Sequence, residues 1–371
     1  MDNQLIIRTK KYLNYSGEIM SKQKFEVDKN KYSVLDGFKF FFFLIIAVIL
    51  SSLLFDIVLS IVASIKGIDR LVLNEHETVQ ILSYVINPCV LIVYSIVYTI
   101  THKVKFRDAL TDGQKVSLLP ISVSIVLAII AIFLFTPLMD LVEYGFMNLG
   151  YNPDNTIPMQ DKMSASFSSF MLGLLIYALL PAIAEEIVFR GIILRSMLSR
   201  YTGFVAILVS TVCFVLMHGA LQQTVYQLIM GIMLGYVACV GGSILYSIIL
   251  HFLNNAFVLL FGCFNLVGYL SEETYYYNIY SMIFPVCLFM LGAILVGILF
   301  WVLKYLRTKN FFRYVPKKKK KKKEEEVVET KFGIKEMWGN LEYKEKVFAI
   351  VGLILIGSIW LVNTISQFIV S

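Results

Sequence analysis

Charged side chains are scarce in this 371-residue sequence: Asp, Glu, Lys and Arg together make up 16%, against roughly 25% in soluble globular domains. With 58% hydrophobic residues and a mean hydropathy of +0.73, that scarcity excludes a soluble globular protein. Cysteine is sparse as well. Cys89, Cys213, Cys239, Cys263 and Cys287 lie in or beside apolar runs, without the paired spacing of a disulfide framework or a Cys-x-x-Cys metal site, so they read as free thiols that pack. A His-Glu-x-x-His zinc signature is absent, and so is any internal repeat. There is no short apolar stretch of secretory type near the start: residues 1–35 are polar and carry seven basic side chains between Arg8 and Lys31. The N-terminus is therefore expected to stay uncleaved and cytoplasmic. Nucleic-acid binding would require a basic face on a soluble module, whereas the net charge of +7 is concentrated between apolar runs. No nucleic-acid partner is expected.

What the sequence has in abundance is apolar runs of about 20 residues, the length that crosses hydrocarbon. They fall near 38–64, 78–101, 117–138, 167–194, 204–221, 224–240, 244–262, 279–303 and 347–369. The expected fold is all-α, a polytopic transmembrane bundle of about eight core helices with one more at the C-terminal end. If the spans alternate, the basic segments 1–35, 102–116, 195–203 and 304–346 share one side. The positive-inside rule makes that side cytoplasmic, with the C-terminus outside. The opposite segments, 139–166 and 263–278, carry Asp140, Glu143, Asp154, Asp161, Glu272 and Glu273 and hardly any Lys or Arg. Seven lysines, Lys317 to Lys323, then Glu324, Glu325 and Glu326, read as a solvated linker. Its lysines also suit anionic lipid headgroups at the inner leaflet. The domain reading is a cytoplasmic segment 1–35, a helical body 36–308, a charged linker 309–346 and a lone terminal helix 347–371.

Ionisable groups inside a bilayer cost at least a few kcal/mol and so call for a partner or a function. Here they cluster at Glu185, Glu186 and Arg190, at His218, and at His251 with Asn254 and Asn255. Glu186 and Arg190, spaced i and i+4, can pair on one helix face, while Glu185 is turned away and stays available. Glu185 and His218 lie nearly equal residue counts either side of the turn at 201–203, roughly 25 Å along their helices, so the two share a depth. His251 lies lower on its helix and reaches them only with tilt or a helix start further out. Asn255 follows His251 at i+4 on the same face.

These residues permit hydrolysis by activated water. Glu185 with His218 can hold a water and take its proton, and His251 with Asn255 can stabilise a developing oxyanion. The same Glu185, His218 and His251 also form a two-His, one-carboxylate set of the kind that holds catalytic Zn²⁺, and the sequence leaves both assemblies open.

Three ordered motifs carry a family resemblance: Glu-Glu-x-x-x-Arg at Glu185, Glu186 and Arg190; Phe-x-x-x-His at Phe214 and His218; His-x-x-x-Asn at His251 and Asn255. With Phe189-Arg190-Gly191 and the Gly231 to Gly235 context, residues 165–260 resemble the core of the CAAX protease and bacteriocin-processing (CPBP) family of intramembrane endopeptidases. That family includes the Ras-converting CAAX endopeptidase and the bacterial Abi proteins. The resemblance implies a helical bundle with a conical cavity opening toward the cytoplasm, and cleavage of peptides near their C-termini. It also implies Glu185 as general base, His218 as its partner, His251 and Asn255 as oxyanion site, and Glu186 with Arg190 as structural support. The family has been viewed both as metalloproteases and as glutamate proteases, so it implies no required cofactor and leaves zinc open. The expected partner is a peptide or membrane-anchored protein substrate, in peptide maturation or bacteriocin self-immunity. A non-catalytic scaffold or regulator is the alternative, and a proton-coupled transporter would need repeats or broken helix pairs that are not evident.

Overall fold

The computed structural model describes residues 9–13, 19–23, 36–111, 116–152, 160–264, 279–308, 337–339 and 341–369. Nine helices stand where the apolar runs are: α1 (Gly37–Lys66), α2 (Glu77–Thr101), α3 (Leu118–Met147), α4 (Phe167–Arg200), α5 (Gly203–His218), α6 (Leu221–Gly241), α7 (Ile244–Cys263), α8 (Ile279–Thr308) and α9 (Tyr343–Ile369). Eight of them are long and apolar enough to cross a membrane, α5 being too short, and the molecule is a multi-pass membrane bundle. One small departure from the all-α expectation is a two-stranded antiparallel hairpin, β1 (Thr9–Leu13) with β2 (Ile19–Gln23), in the N-terminal segment. The acidic residues Asp154, Glu272 and Glu273 and the lysine run Lys317–Lys323 lie outside the described residues.

Helices α1 and α7 each begin at a side-chain cap. The Asp36 carboxylate accepts from the N–H groups of Phe38 and Lys39 at 3.0 and 3.1 Å, satisfying two of the donors that the first turn of α1 leaves unpaired. The Ser243 hydroxyl does the same for Leu245 at the start of α7. Outward faces carry Leu53, Leu54, Ile57 and Ile61, all exposed. A bilayer tolerates such faces because the helical backbone satisfies its own polar groups. Inward, Val188, Phe189, Phe214, Met230, Leu234 and Leu250 close a common core between α4, α5, α6 and α7.

Two departures from regular α geometry bear on function. Helix α4 contains two π-helical segments, Leu174–Leu179 and Ile187–Ile193. The first leads into Pro181, which lacks an N–H and crowds the preceding turn; the second starts directly after Glu186. Such segments are frequent at functional sites because they rotate side chains relative to the rest of a helix. The Phe189 carbonyl, within the second, accepts from the Ser210 hydroxyl of α5 at 2.8 Å.

Helix α5 is expected from the sequence to span 204–221. It stops at His218 after 16 residues, because Gly219 takes a left-handed conformation with φ +65°. At about 1.5 Å per residue α5 is only about 24 Å long, so it ends within the bundle beside the buried polar groups. Non-helical backbone at membrane depth is tolerated where protein or a water-filled cavity surrounds it.

The terminal helix, expected to stand alone beyond its linker, instead packs on α1 and α5. Arg200 pairs with Glu345 at one end of α9, and Phe348 packs against Phe42 and Phe43 of α1. At the far end the Asn152 N–H donates to the Gln367 carbonyl at 3.0 Å.

Candidate active site

The scaffold brings Glu185, Glu186, Arg190, Phe214, His218 and His251 of α4, α5 and α7 together. Glu186 and Arg190 pair as their i, i+4 spacing predicts: Arg190 Nη1 donates to Glu186 Oε1 at 2.7 Å, and both side chains are fully buried. The guanidinium also donates from Nη2 to the Gly231 carbonyl of α6 at 3.2 Å. Its carbon lies 4.5 Å from the centre of the Phe214 ring, within cation–π range. A side chain at Gly231 would meet Thr211 Cγ2 at 2.6 Å, so glycine there permits the close approach of α5 and α6.

Glu185 faces elsewhere. Its Oε2 lies 3.8 Å from His218 Nε2 and 3.8 Å from His251 Nε2. That atom is buried and has no hydrogen-bond partner in the protein. His218 is tied through Nδ1 to the Phe214 carbonyl at 2.9 Å, and His251 through Nδ1 to Glu186 Oε1 at 3.0 Å. A carbonyl and a carboxylate only accept, so Nδ1 is the donor on each ring and Nε2 is the nitrogen turned to Glu185. Phe214 packs edge-on against both rings, with centroids 4.6 Å from His218 and 5.8 Å from His251. The depth argument for Glu185 and His218 therefore holds, and His251, the hardest of the three to place from sequence, reaches the same carboxylate.

Asn255 is half-buried one turn beyond His251. Its Oδ1 accepts from Asn254 Nδ2 at 3.4 Å, and Asn254 Oδ1 accepts from the Tyr226 hydroxyl. Neither Tyr226 nor the Glu186–His251 contact is visible in the sequence, because no spacing relates α6 or α4 to α7. The only signal was the double asparagine itself.

Residues 167–257 match the family described as type II CAAX prenyl endopeptidase, Rce1-like. This Rce1-like segment is about a quarter of the chain and holds all three motifs that carry the CPBP resemblance. A relative named "Putative membrane peptidase YdiL", from Bacillus subtilis (strain 168), is 26% identical over 209 residues, covering 56% of this chain and 80% of its own length. No solved structure matches. Together the Rce1-like segment and this relative support a CPBP-family protein and, more generally, a membrane peptidase.

The donor chemistry of Glu185, His218 and His251 is that of a zinc site, and anchoring of each ring through Nδ1 is how metal-binding histidines are oriented. Glu185 Oε2 stands 3.8 Å from both Nε2 atoms, and among the described residues no group of three His, Cys, Asp or Glu side chains already meets the geometry of a metal site.

Proposed function

We propose that the protein is an intramembrane endopeptidase that hydrolyses a peptide bond near the C-terminus or membrane anchor of its substrate, using water activated by Glu185 and His218. The observation that carries this reading is the unpartnered Oε2 of Glu185, 3.8 Å from each of two imidazole Nε2 atoms. That separation is too long for a hydrogen bond and is within the reach of one bridging water. Glu185 and His218 each accept a proton of that water, which leaves an oxygen lone pair directed at the scissile carbonyl. As the water attacks, its proton passes to Glu185, which then returns it to the leaving amine.

His251 stabilises the tetrahedral intermediate. Held through Nδ1 by Glu186, it presents its Nε2 edge to the developing oxyanion, with Glu186 orienting the ring as in other carboxylate–histidine pairs. The amide of Asn255 supplies a donor. Arg190 in turn neutralises Glu186. The water-filled cavity that such chemistry requires is consistent with the break at Gly219. The biological role that fits a bacterial-type relative of this kind is peptide maturation or bacteriocin self-immunity, and no cofactor is needed for the steps above.

The test is cleavage of a fluorescent peptide library by detergent-purified protein, comparing wild type with Glu185→Gln, each with and without a zinc chelator. Product from wild type that falls by about 10²–10⁴-fold in the variant and survives the chelator supports the reading. Loss with the chelator moves the three side chains onto a metal. No product from correctly folded wild type overturns the peptidase reading for those peptides.

A further inference from the structure

An asparagine amide presents an acceptor at one end and a donor at the other, and only the donor end can stabilise an oxyanion. Which end of Asn255 is free is decided by its neighbours. Its Oδ1 is occupied by Asn254 Nδ2 at 3.4 Å. Asn254 is itself buried, at 6% exposure, and its own Oδ1 accepts from the Tyr226 hydroxyl of α6. The polar chain thus runs from α6 to α7 and ends at the side-chain oxygen of Asn255.

We infer that Tyr226 and Asn254 are positioning residues that fix the amide of Asn255 with Nδ2 as its free end. Each member holds the next in one orientation. Tyr226 donates, so Asn254 must offer Oδ1 to it and turn Nδ2 toward Asn255; Asn255 must then offer Oδ1 and keep Nδ2 for the substrate oxygen. Neither residue touches the reacting atoms. Without the phenol hydroxyl, Asn254 is free to flip, and Asn255 with it, so that an acceptor would face the developing negative charge. This inference rests on the oxyanion role of Asn255 in the reading above.

The experiment is a double-mutant cycle in the full-length protein, with the peptide assay as readout. Tyr226→Phe is expected to lower kcat about five- to tenfold, the worth of one ordinary hydrogen bond, with KM unchanged. Asn254→Asp keeps the acceptor for Tyr226 but removes the donor toward Asn255, and is expected to lower kcat at least as much. In an Asn255→Ala background Tyr226→Phe should cost nothing further, because the group it orients is gone. An equal loss from Tyr226→Phe in both backgrounds would overturn the inference, since a general structural effect adds. Full activity in Tyr226→Phe, or in Asn255→Ala, would overturn it as well while leaving Glu185 as base intact. A folded wild type that cleaves nothing overturns the peptidase reading first and this inference with it.

Discussion

His251 and Glu186, 65 residues apart in the chain, are joined from Nδ1 to Oε1 at 3.0 Å, and the same carboxylate oxygen accepts from Arg190 at 2.7 Å. Glu186 is thus shared between an arginine of its own helix and a histidine of another. Its neighbour Glu185 takes no part in that pairing, so the two adjacent glutamates should fail differently when changed.

Glu186→Gln is expected to destabilise the protein by about 3–5 kcal/mol, because it leaves the fully buried Arg190 guanidinium without a counter-charge. Glu185→Gln, whose side chain is partly exposed and pairs with no cation at hydrogen-bond distance, should leave stability nearly unchanged. Thermal unfolding in detergent, followed alongside yield of the folded protein, measures both. Equal melting temperatures for Glu186→Gln and wild type would contradict the assignment of roles.

Gly219→Ala tests the turn that ends α5. The residue has φ +65°, and an added Cβ would lie 3.0 Å from Asn363 Nδ2 of α9. A left-handed alanine costs about 1–2 kcal/mol, and the strain falls on the residue next to His218. Lower stability together with a lower kcat is expected. Combining it with Asn363→Ala removes the contact but not the backbone strain, so most of the stability loss should persist in the double variant.

The Asp36 carboxyl is held above its ordinary range, first by burial and also by the nearby Glu345, although its bonds to the N–H groups of Lys39 and Phe38 and the Arg200 charge pull the other way. A carboxyl whose folded-state pKa is raised stabilises the protein while it is protonated. That contribution is complete below the unfolded pKa and is lost as pH rises through the folded one. Asp36→Asn keeps a good helix cap and has no charge to bury, so the variant should match or exceed wild-type stability at neutral pH. The difference between the two should shrink as pH falls toward the ordinary carboxyl value of 3.8 and be gone below it. Melting curves across pH 3 to 8 check the sign.

Much of this arrangement is legible in the sequence where a single helix sets the geometry. The apolar runs mark the spans, and i, i+4 spacing pairs Glu186 with Arg190 and leaves Glu185 aside. Residue counts either side of the turn at 201–203 bring Glu185 level with His218. Contacts between helices are less legible, because they depend on rotation and tilt that no spacing records. The π-helical segment after Glu186 alters the rotation of α4, and the link from His251 to Glu186 requires α4 and α7 to face each other at that height. The break at Gly219 was hidden by apolar residues on both sides, which made α5 look like a full span. Tyr226 carried no signal because tyrosines are common throughout the chain.

Helix α9 gives the order of synthesis a structural meaning. Every motif residue from Glu185 to Asn255 leaves the ribosome before residues 343–369, yet Asn363 lies against the turn beside His218 and Glu345 pairs with Arg200 beneath it. Until residues 343–369 have been made, α5 lacks the flank that α9 supplies. The side of α5 that carries His218 and Gly219 is therefore completed last, by a helix that follows the charged linker.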